Sequence, residues 1–319
     1  MSPEFLIAYL QGRLAPVEDL NQGFMRPAYP QQIVFSYYQA SLVFDYVAGR
    51  WGFPAVVAML EGYRGGGSTP EVLAAVLGIG PEELAEGYDV YFRQRFAGPL
   101  QAIRPAAENA EAPSLDDLRR RAADDPGDFS AHLAVGRSLS EEDPEAALPH
   151  LEQAKAAFPS YAGAGSPYWL LAEVHRRAGR LQRAAAELEA LVERNRAHHP
   201  GLRALAEVRA ELGDPGGAAE ALASAQYVYP YEPDDHRRLA EWLEVSGSPA
   251  ETIRERRAVL ALEPFNRPEA LYRLAAAQRA AGDRKAARST VLEALEQAPN
   301  YEESLELLLE LRTERGGEE

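Results

Sequence analysis

The chain has six histidines, His132, His150, His175, His198, His199 and His236, and no cysteine. A hydrolytic zinc centre needs three protein ligands and one open position. None of the six histidines stands in an HExxH sequence. The adjacent pair His198-His199 could ligate a metal, but no third ligand follows at helical spacing, and a position before Pro200 predicts solvated loop residues. Gly65-Gly66-Gly67-Ser68-Thr69 lacks the lysine of a phosphate-binding loop and reads as a joint. Catalytic, metal and cofactor sites are therefore not expected. What remains is recognition chemistry. Trp169, Glu173, Arg176 and Arg177, then Arg203 and Glu207, Arg237 and Glu241, and Tyr272 and Arg279 recur at matching places in the second half. Aromatic rings and guanidinium forks in one groove can hold an extended peptide and its carboxylates. The competing reading is a solvated face whose charges pair with one another, as Arg203 could with Glu207 at i, i+4.

The elements that place these side chains are legible in the spacing. Prolines at 230, 264 and 299 recur every 34 or 35 residues, and each follows a Gly-Asp or Gly-Ser turn and a run of small residues. In the last full unit, helix A is expected over Pro268–Ala281 and helix B over Arg284–Gln297. Leu271, Leu274 and Ala275 give helix A an apolar stripe at i, i+3, i+4. Ala275, Ala287 and Ala294 are small where two axes must approach. Gly282 allows a left-handed stop, and Asp283 can cap the next helix. Earlier units close at Pro159 and, after a longer loop over Asn195–His199, at Pro200. Leu115–Asp125 reads as a lone helix B, and Tyr301–Glu314 as a closing helix with a polar face. This pattern resembles the tetratricopeptide (TPR) repeat, a helix–turn–helix unit that stacks into a solenoid. The resemblance implies protein or peptide binding on the concave side of the stack, to which the recurring aromatic and charged residues above would belong. It lacks the lysine–asparagine pattern of TPR domains that hold chaperone tails.

A chain of 319 residues exceeds one ordinary domain. No apolar run is long enough to span a bilayer, and the first residues have no basic leader, so a cytoplasmic chain without membrane insertion is expected. The net charge of −16 opposes nucleic acid as a partner.

Residues 1–103 hold eight of the fifteen tyrosines and seven of the ten phenylalanines, which sets this half apart from the repeats. Helices are expected at Pro3–Gln11, Pro30–Arg50, Pro54–Tyr63, Thr69–Val76 and Pro81–Phe96. The stretch Ile33–Val47 is apolar nearly all round, which predicts a central helix. Four of its large side chains left in water would forfeit roughly 6–12 kcal/mol, so a cover is expected from flanking helices or from a second copy of the chain. Tyr37-Tyr38-Gln39-Ala40, Tyr46, the turn Arg50-Trp51-Gly52-Phe53, Met59–Arg64, Pro70–Leu77, Ile79 and Pro81–Glu86 resemble the helical part of gluzincin-type zinc peptidases, the peptidase MA-like family. In that family the HExxH helix and a later glutamate come first, and a tyrosine placed as Tyr37 is would hydrogen-bond the oxyanion of the tetrahedral intermediate. Residues 1–131 contain no histidine, so the resemblance implies a chain that starts after the zinc half. Zinc would enter only with an upstream catalytic part.

The sequence thus predicts an all-α protein: a small helical domain over 1–98, a polar linker over 99–113, and a right-handed TPR α-solenoid of about five repeats with a capping helix over 114–319. The expected role is a non-catalytic interaction scaffold. The alternative is the C-terminal part of a zinc metallopeptidase whose HExxH half lies upstream of Met1.

Overall fold

The computed structural model describes residues 2–105 and 113–313. Among them every regular element is helical, and none is long and apolar enough to cross a membrane. Two compact units divide the chain, Met1–Tyr161 and Ala162–Glu319.

The first unit opens with α1 (Pro3–Leu10), a 3-10 turn (Val17–Asp19), α2 (Asn21–Met25) and the long α3 (Gln32–Trp51). It continues through α4 (Phe53–Arg64), α5 (Thr69–Val76), α6 (Pro81–Arg95) and α7 (Ala97–Ala102). Ser68 and Glu71 form a reciprocal capping box at the start of α5, as Ser-Thr-Pro-Glu foretells. The aromatic excess of this half forms the core. Phe5 meets Phe35 edge-on at 5.6 Å and Tyr38 at 4.9 Å, and Phe92 lies against Tyr9 and Phe96 at 4.2 and 4.8 Å. Such pairs add about 0.5–1.5 kcal/mol each beyond their burial.

Two expectations change here. Residues 97–102 are helical, with Ala102 and Ile103 buried, so the expected linker begins inside an ordered helix; residues 106–112 of it lie outside the described residues. The same core also takes in Phe129, Ala154, Phe158 and Tyr161. The unit therefore includes α8 (Leu115–Asp124) and the first helix pair, α9 (Phe129–Glu142) and α10 (Pro144–Ala157), and it closes at Tyr161 rather than near residue 98. Second, α3 is not covered all round. It buries the polar Gln32, Ser36 and Gln39 and leaves Val34, Tyr37 and Phe44 exposed. The cause is the backbone that precedes it: Gln39 Nε2 donates to Ala15 O at 2.9 Å, and Gln32 Oε1 accepts from Ala28 N at 2.6 Å. Peptide groups of an irregular segment need partners once buried, so α3 turns its amides toward them and its opposite stripe outward. Neighbouring α4 does likewise, exposing Phe53, Val57 and Leu60.

The second unit is a stack of helix pairs: α11 (Pro167–Arg177) with α12 (Leu181–Arg194), α13 (His199–Glu211) with α14 (Pro215–Val228), α15 (Pro233–Val245) with α16 (Pro249–Ala261), and α17 (Arg267–Ala280) with α18 (Arg284–Gln297), followed by α19 (Glu302–Thr313). This is the TPR-type all-α solenoid that the spacing calls for. Gly179, Gly213, Gly247 and Gly282 all take left-handed φ, 69° to 81°, at the A-to-B turn, where a Cβ would be strained. The caps follow as read, with Asp214 accepting from Gly217 N and Asp283 from Ala286 N. Ala184, Ala218, Ala225, Ala275, Ala287 and Ala294 are fully buried at the crossings.

Pro200 proves to be a starting residue and not a closing one. Helix α12 ends at Arg194, and Pro200 lies in the first turn of α13, where its missing N–H is no loss. Arg196 occupies the place that Pro230 and Pro299 take after α14 and α18.

Candidate functional site

All ten residues singled out for recognition lie in the second unit, on its A helices. The first link between them is a ladder of ion pairs with a step of 31 residues. Arg176 Nη1 on α11 reaches Glu207 Oε2 on α13 at 3.1 Å, and the other oxygen of Glu207 accepts from Arg238 Nη1 on α15 at 2.6 Å. Arg279 on α17 pairs with Glu310 on α19 in the same way. A repeat of 34 residues turns one A helix onto the next, and the long side chains lean back three residues, about one turn, to meet.

The charges therefore do pair among themselves, but across repeats. Arg203 does not bond Glu207 at i, i+4: its Nε lies 2.8 Å from Asp235 Oδ1 on the next A helix. Asp235 is almost fully buried, and neither carboxylate oxygen receives an aligned hydrogen bond. Burial raises its pKa above the ordinary aspartate range, against the opposing pull of Arg203 and His199. Arg237 pairs locally with Asp234 at 2.6 Å, both half-exposed; such a pair is worth at most about 1 kcal/mol and leaves the guanidinium available.

Two aromatic steps mark the ends of the ladder. Trp169 lies against His198 with ring centres 5.7 Å apart, and Tyr272 against Tyr301 at 5.9 Å. Between them, Arg237 and Glu241 line a cavity of about 350 Å³ together with the fully exposed Phe265 and with Arg273. Tyr272 and Arg279 line a second, of about 390 Å³, with Glu303, Glu306 and Glu310. Glu173 is half-buried and Arg177 exposed on α11, outside both cavities. Asp235 and Arg238 belong to the same face and escape a reading of single helices; the interval 176, 207, 238 is the signal that finds Arg238, whereas Asp235 lies 32 residues from Arg203 and off that interval.

His198 is buried, not solvated: its Nδ1 accepts from Gly201 N at 2.9 Å and caps α13. The bare Cα of Gly201 permits this, since a Cβ there would come 2.7 Å from the same nitrogen. His199 lies in the first turn of α13, its Nε2 3.5 Å from Asp235 Oδ2. In the first unit, His132 and His150 face each other through Nδ1 atoms 3.1 Å apart, so only one of the two can carry a proton there. Among the described residues no group of three or more His, Asp or Glu is placed to hold a metal ion. Burial lowers the affinity of His198 for protons below the ordinary value of 6.5. A group with a depressed folded-state constant stabilises the fold above its unfolded value and loses that contribution as pH falls through the folded one. The second unit should thus weaken below about pH 6.5. His198→Asn, which keeps a side-chain acceptor for Gly201, should flatten that acid limb, whereas His198→Ala should cost about 1 kcal/mol at pH 7.5; urea titrations at several pH values read both.

Tyr37 is exposed, its ring edge-on to Phe24 at 4.8 Å.

No protein-family model matches the chain, and no curated protein matches it. The gluzincin-like reading of the first half thus has no support from a known family. Among solved structures, the chain is similar to YrrB, described as a TPR protein with an unusual peptide-binding site, at 17% identity over 60% of this chain and 98% of that one, TM-score 0.47. It is similar to a MamA protein at 17% identity over 55% and 95%, TM-score 0.42. A thermophilic TPR protein of Thermus thermophilus, TTC0263, matches at 23% identity over 58% and 97%, TM-score 0.32. None of these likenesses bears on function, for which the geometry above has to serve.

Proposed function

We propose that the chain is a non-catalytic interaction scaffold whose A-helix face binds an extended peptide of a partner protein. The observation that carries this reading is the pair of aromatic steps, Trp169/His198 and Tyr272/Tyr301, set in one register with the Arg237–Glu241 cavity between them. Paired aromatic rings offer rigid apolar contact at small entropic cost, and Arg237 and Glu241 can fix direction through a carboxylate and a cation of the ligand. The ladder residues Arg176, Arg203, Glu207 and Arg279 shape the floor, being already engaged with neighbouring helices.

The test is a peptide array probed with the full chain. Tyr272→Ala combined with Arg237→Ala should weaken the selected peptides at least ten-fold without changing helicity by circular dichroism. Undiminished binding would remove the face from consideration. Arg203→Ala is a poor test, because it strands the buried Asp235 carboxylate.

A second surface supports self-association. Val34, Tyr37 and Phe44 on α3 and Phe53, Val57 and Leu60 on α4 are exposed. The three aromatics alone leave on the order of 350 Å² uncovered at 150–250 Å² each, approaching half of one side of a standard interface. We propose that a second copy of the chain covers these stripes; light scattering that returns a monomer mass across a hundred-fold range of concentration would exclude it.

A further inference from the structure

The segment α11–α12–α13 and the segment α17–α18–α19 are the same arrangement displaced by 103 residues. The ring contact of Trp169 with His198, tilted, recurs as that of Tyr272 with Tyr301, edge-on, and Arg176 paired with Glu207 recurs as Arg279 with Glu310. This register compares the flank of an A helix beside a described helix B, on α13, with one beside none among the described residues, on α19. On α13, Leu202, Leu205 and Ala206 are buried, and Arg209 donates both to Glu189 on α12, at 2.9 Å, and to Gly217 O in the first turn of α14, at 3.1 Å. On α19 the matching Leu305 and Leu309 are 41% and 60% exposed. Arg312, the counterpart of Arg209, has Leu292 where Arg209 has Glu189. Glu302, Glu303, Glu306 and Glu310 are exposed on this closing helix, but Leu305 and Leu309 interrupt its polar outer face.

Beside this flank is a cavity of about 700 Å³ lined by Arg284, Lys285, Arg288 and Arg312 over Leu292 and Leu311. No carboxylate is among its described lining residues, in a chain of net charge −16. Arg288 stands where α12 has the buried Ala185. A helix approaching as α14 approaches α13 would trap that guanidinium away from water, which is costly unless the helix brings an acid to meet it.

From this we infer a docking site for an amphipathic helix of a partner protein, with an alanine- and leucine-rich stripe flanked by aspartate or glutamate, lying where the next helix B would lie. The stripe covers Leu305 and Leu309, and the acids face Lys285, Arg288 and Arg312. The surface is separate from the peptide-binding face proposed above and does not depend on it.

Two synthetic helical peptides serve as probes. Both carry the apolar positions of α14 (Ala218, Ala221, Leu222, Ala225), one with glutamates on the flanks and one with lysines. By fluorescence anisotropy with the full chain in 0.1 M salt, the glutamate peptide should bind at least ten-fold more tightly than the lysine peptide. Arg288→Glu with Arg312→Glu should reverse that preference, and Leu309→Glu should weaken both peptides, whereas Tyr272→Ala should change neither. Equal binding of the two peptides, or of neither, overturns the proposal. So does equal binding of a scrambled glutamate peptide without the apolar stripe, which would leave an unspecific anion site. Unchanged thermal unfolding of the variants ensures that lost binding is not lost fold.

Discussion

Glu255→Ala is expected to destabilise the second unit by about 3–5 kcal/mol, the range for removing one partner of a buried, hydrogen-bonded charge pair. Glu255 on α16 is 2% exposed. Its Oε2 lies 2.7 Å from His236 Nδ1 on α15 and accepts from Gln226 Nε2 on α14 at 3.2 Å, while Oε1 accepts from Arg254 Nε at 2.8 Å. The second ring nitrogen of His236 is 2.9 Å from Pro230 O, which can only accept, so that nitrogen carries a proton. One carboxylate thus ties three successive helices and the loop between two repeats. Alanine would leave the imidazole and the amide buried without their acceptor. Glu255→Gln keeps an acceptor oxygen and should lose no more than about 1.5 kcal/mol. Replacing both partners, His236→Leu with Glu255→Leu, should cost less than the alanine change, because the imidazole goes with its acceptor and only the Gln226 amide and Pro230 O lose a partner. The measurement is the urea midpoint followed by Trp242 fluorescence on α15, with an unchanged slope as the sign that stability alone has moved. An alanine variant within 1 kcal/mol of the parent would show that packing, not this cluster, holds the helices in register.

That cluster illustrates where the sequence is informative and where it falls silent. Helix B of the last pair runs Arg284–Gln297 as the spacing predicts, and helix A shifts by one residue to Arg267–Ala280. Turn glycines, capping aspartates and crossing alanines are legible because each answers a local constraint that only a few residue types satisfy. Pro200 misleads because proline suits the residue after a helix and the first turn of one equally well. The burial of α3 misleads for a different reason. Hydrophobicity says how much surface must be hidden, but here the peptide groups near Ala15 and Ala28 draw Gln39 and Gln32 inward. For the candidate face, residue types and helices are legible, whereas the pairing is not, because Arg176 meets Glu207 only after a whole helix, α12, has intervened. Asp235 looks like an exposed first-turn acid in Pro233-Asp234-Asp235-His236, yet it is buried against Arg203.

Gly136→Val should cost the first unit about 3 kcal/mol, and the reason is the closeness of α9 and α10. A Cβ built on Gly136 would lie 2.6 Å from Leu151 Cδ2, 2.8 Å from its Cγ and 3.3 Å from its backbone nitrogen. Leu151 has no exposed surface, so it has no open side to move into. Alanine at 136 gains about 1 kcal/mol of helix propensity over glycine, set against an overpacking cost of about 1–3 kcal/mol, and should come out mildly destabilising. Valine adds two more methyls to the same contact and, being β-branched, gains less propensity. The decisive experiment is a double-mutant cycle with Leu151→Ala, which alone should cost about 2–5 kcal/mol through the cavity it opens. If the two side chains compete for one volume, valine at 136 fills part of that cavity, and the double variant should be more stable than the sum of single losses by at least about 1 kcal/mol. Additive losses in urea titrations followed by circular dichroism would mean that Gly136 is tolerated for its backbone freedom and not required by the crossing. Gly136 has no left-handed φ and lies mid-helix, which makes the crossing the better physical cause.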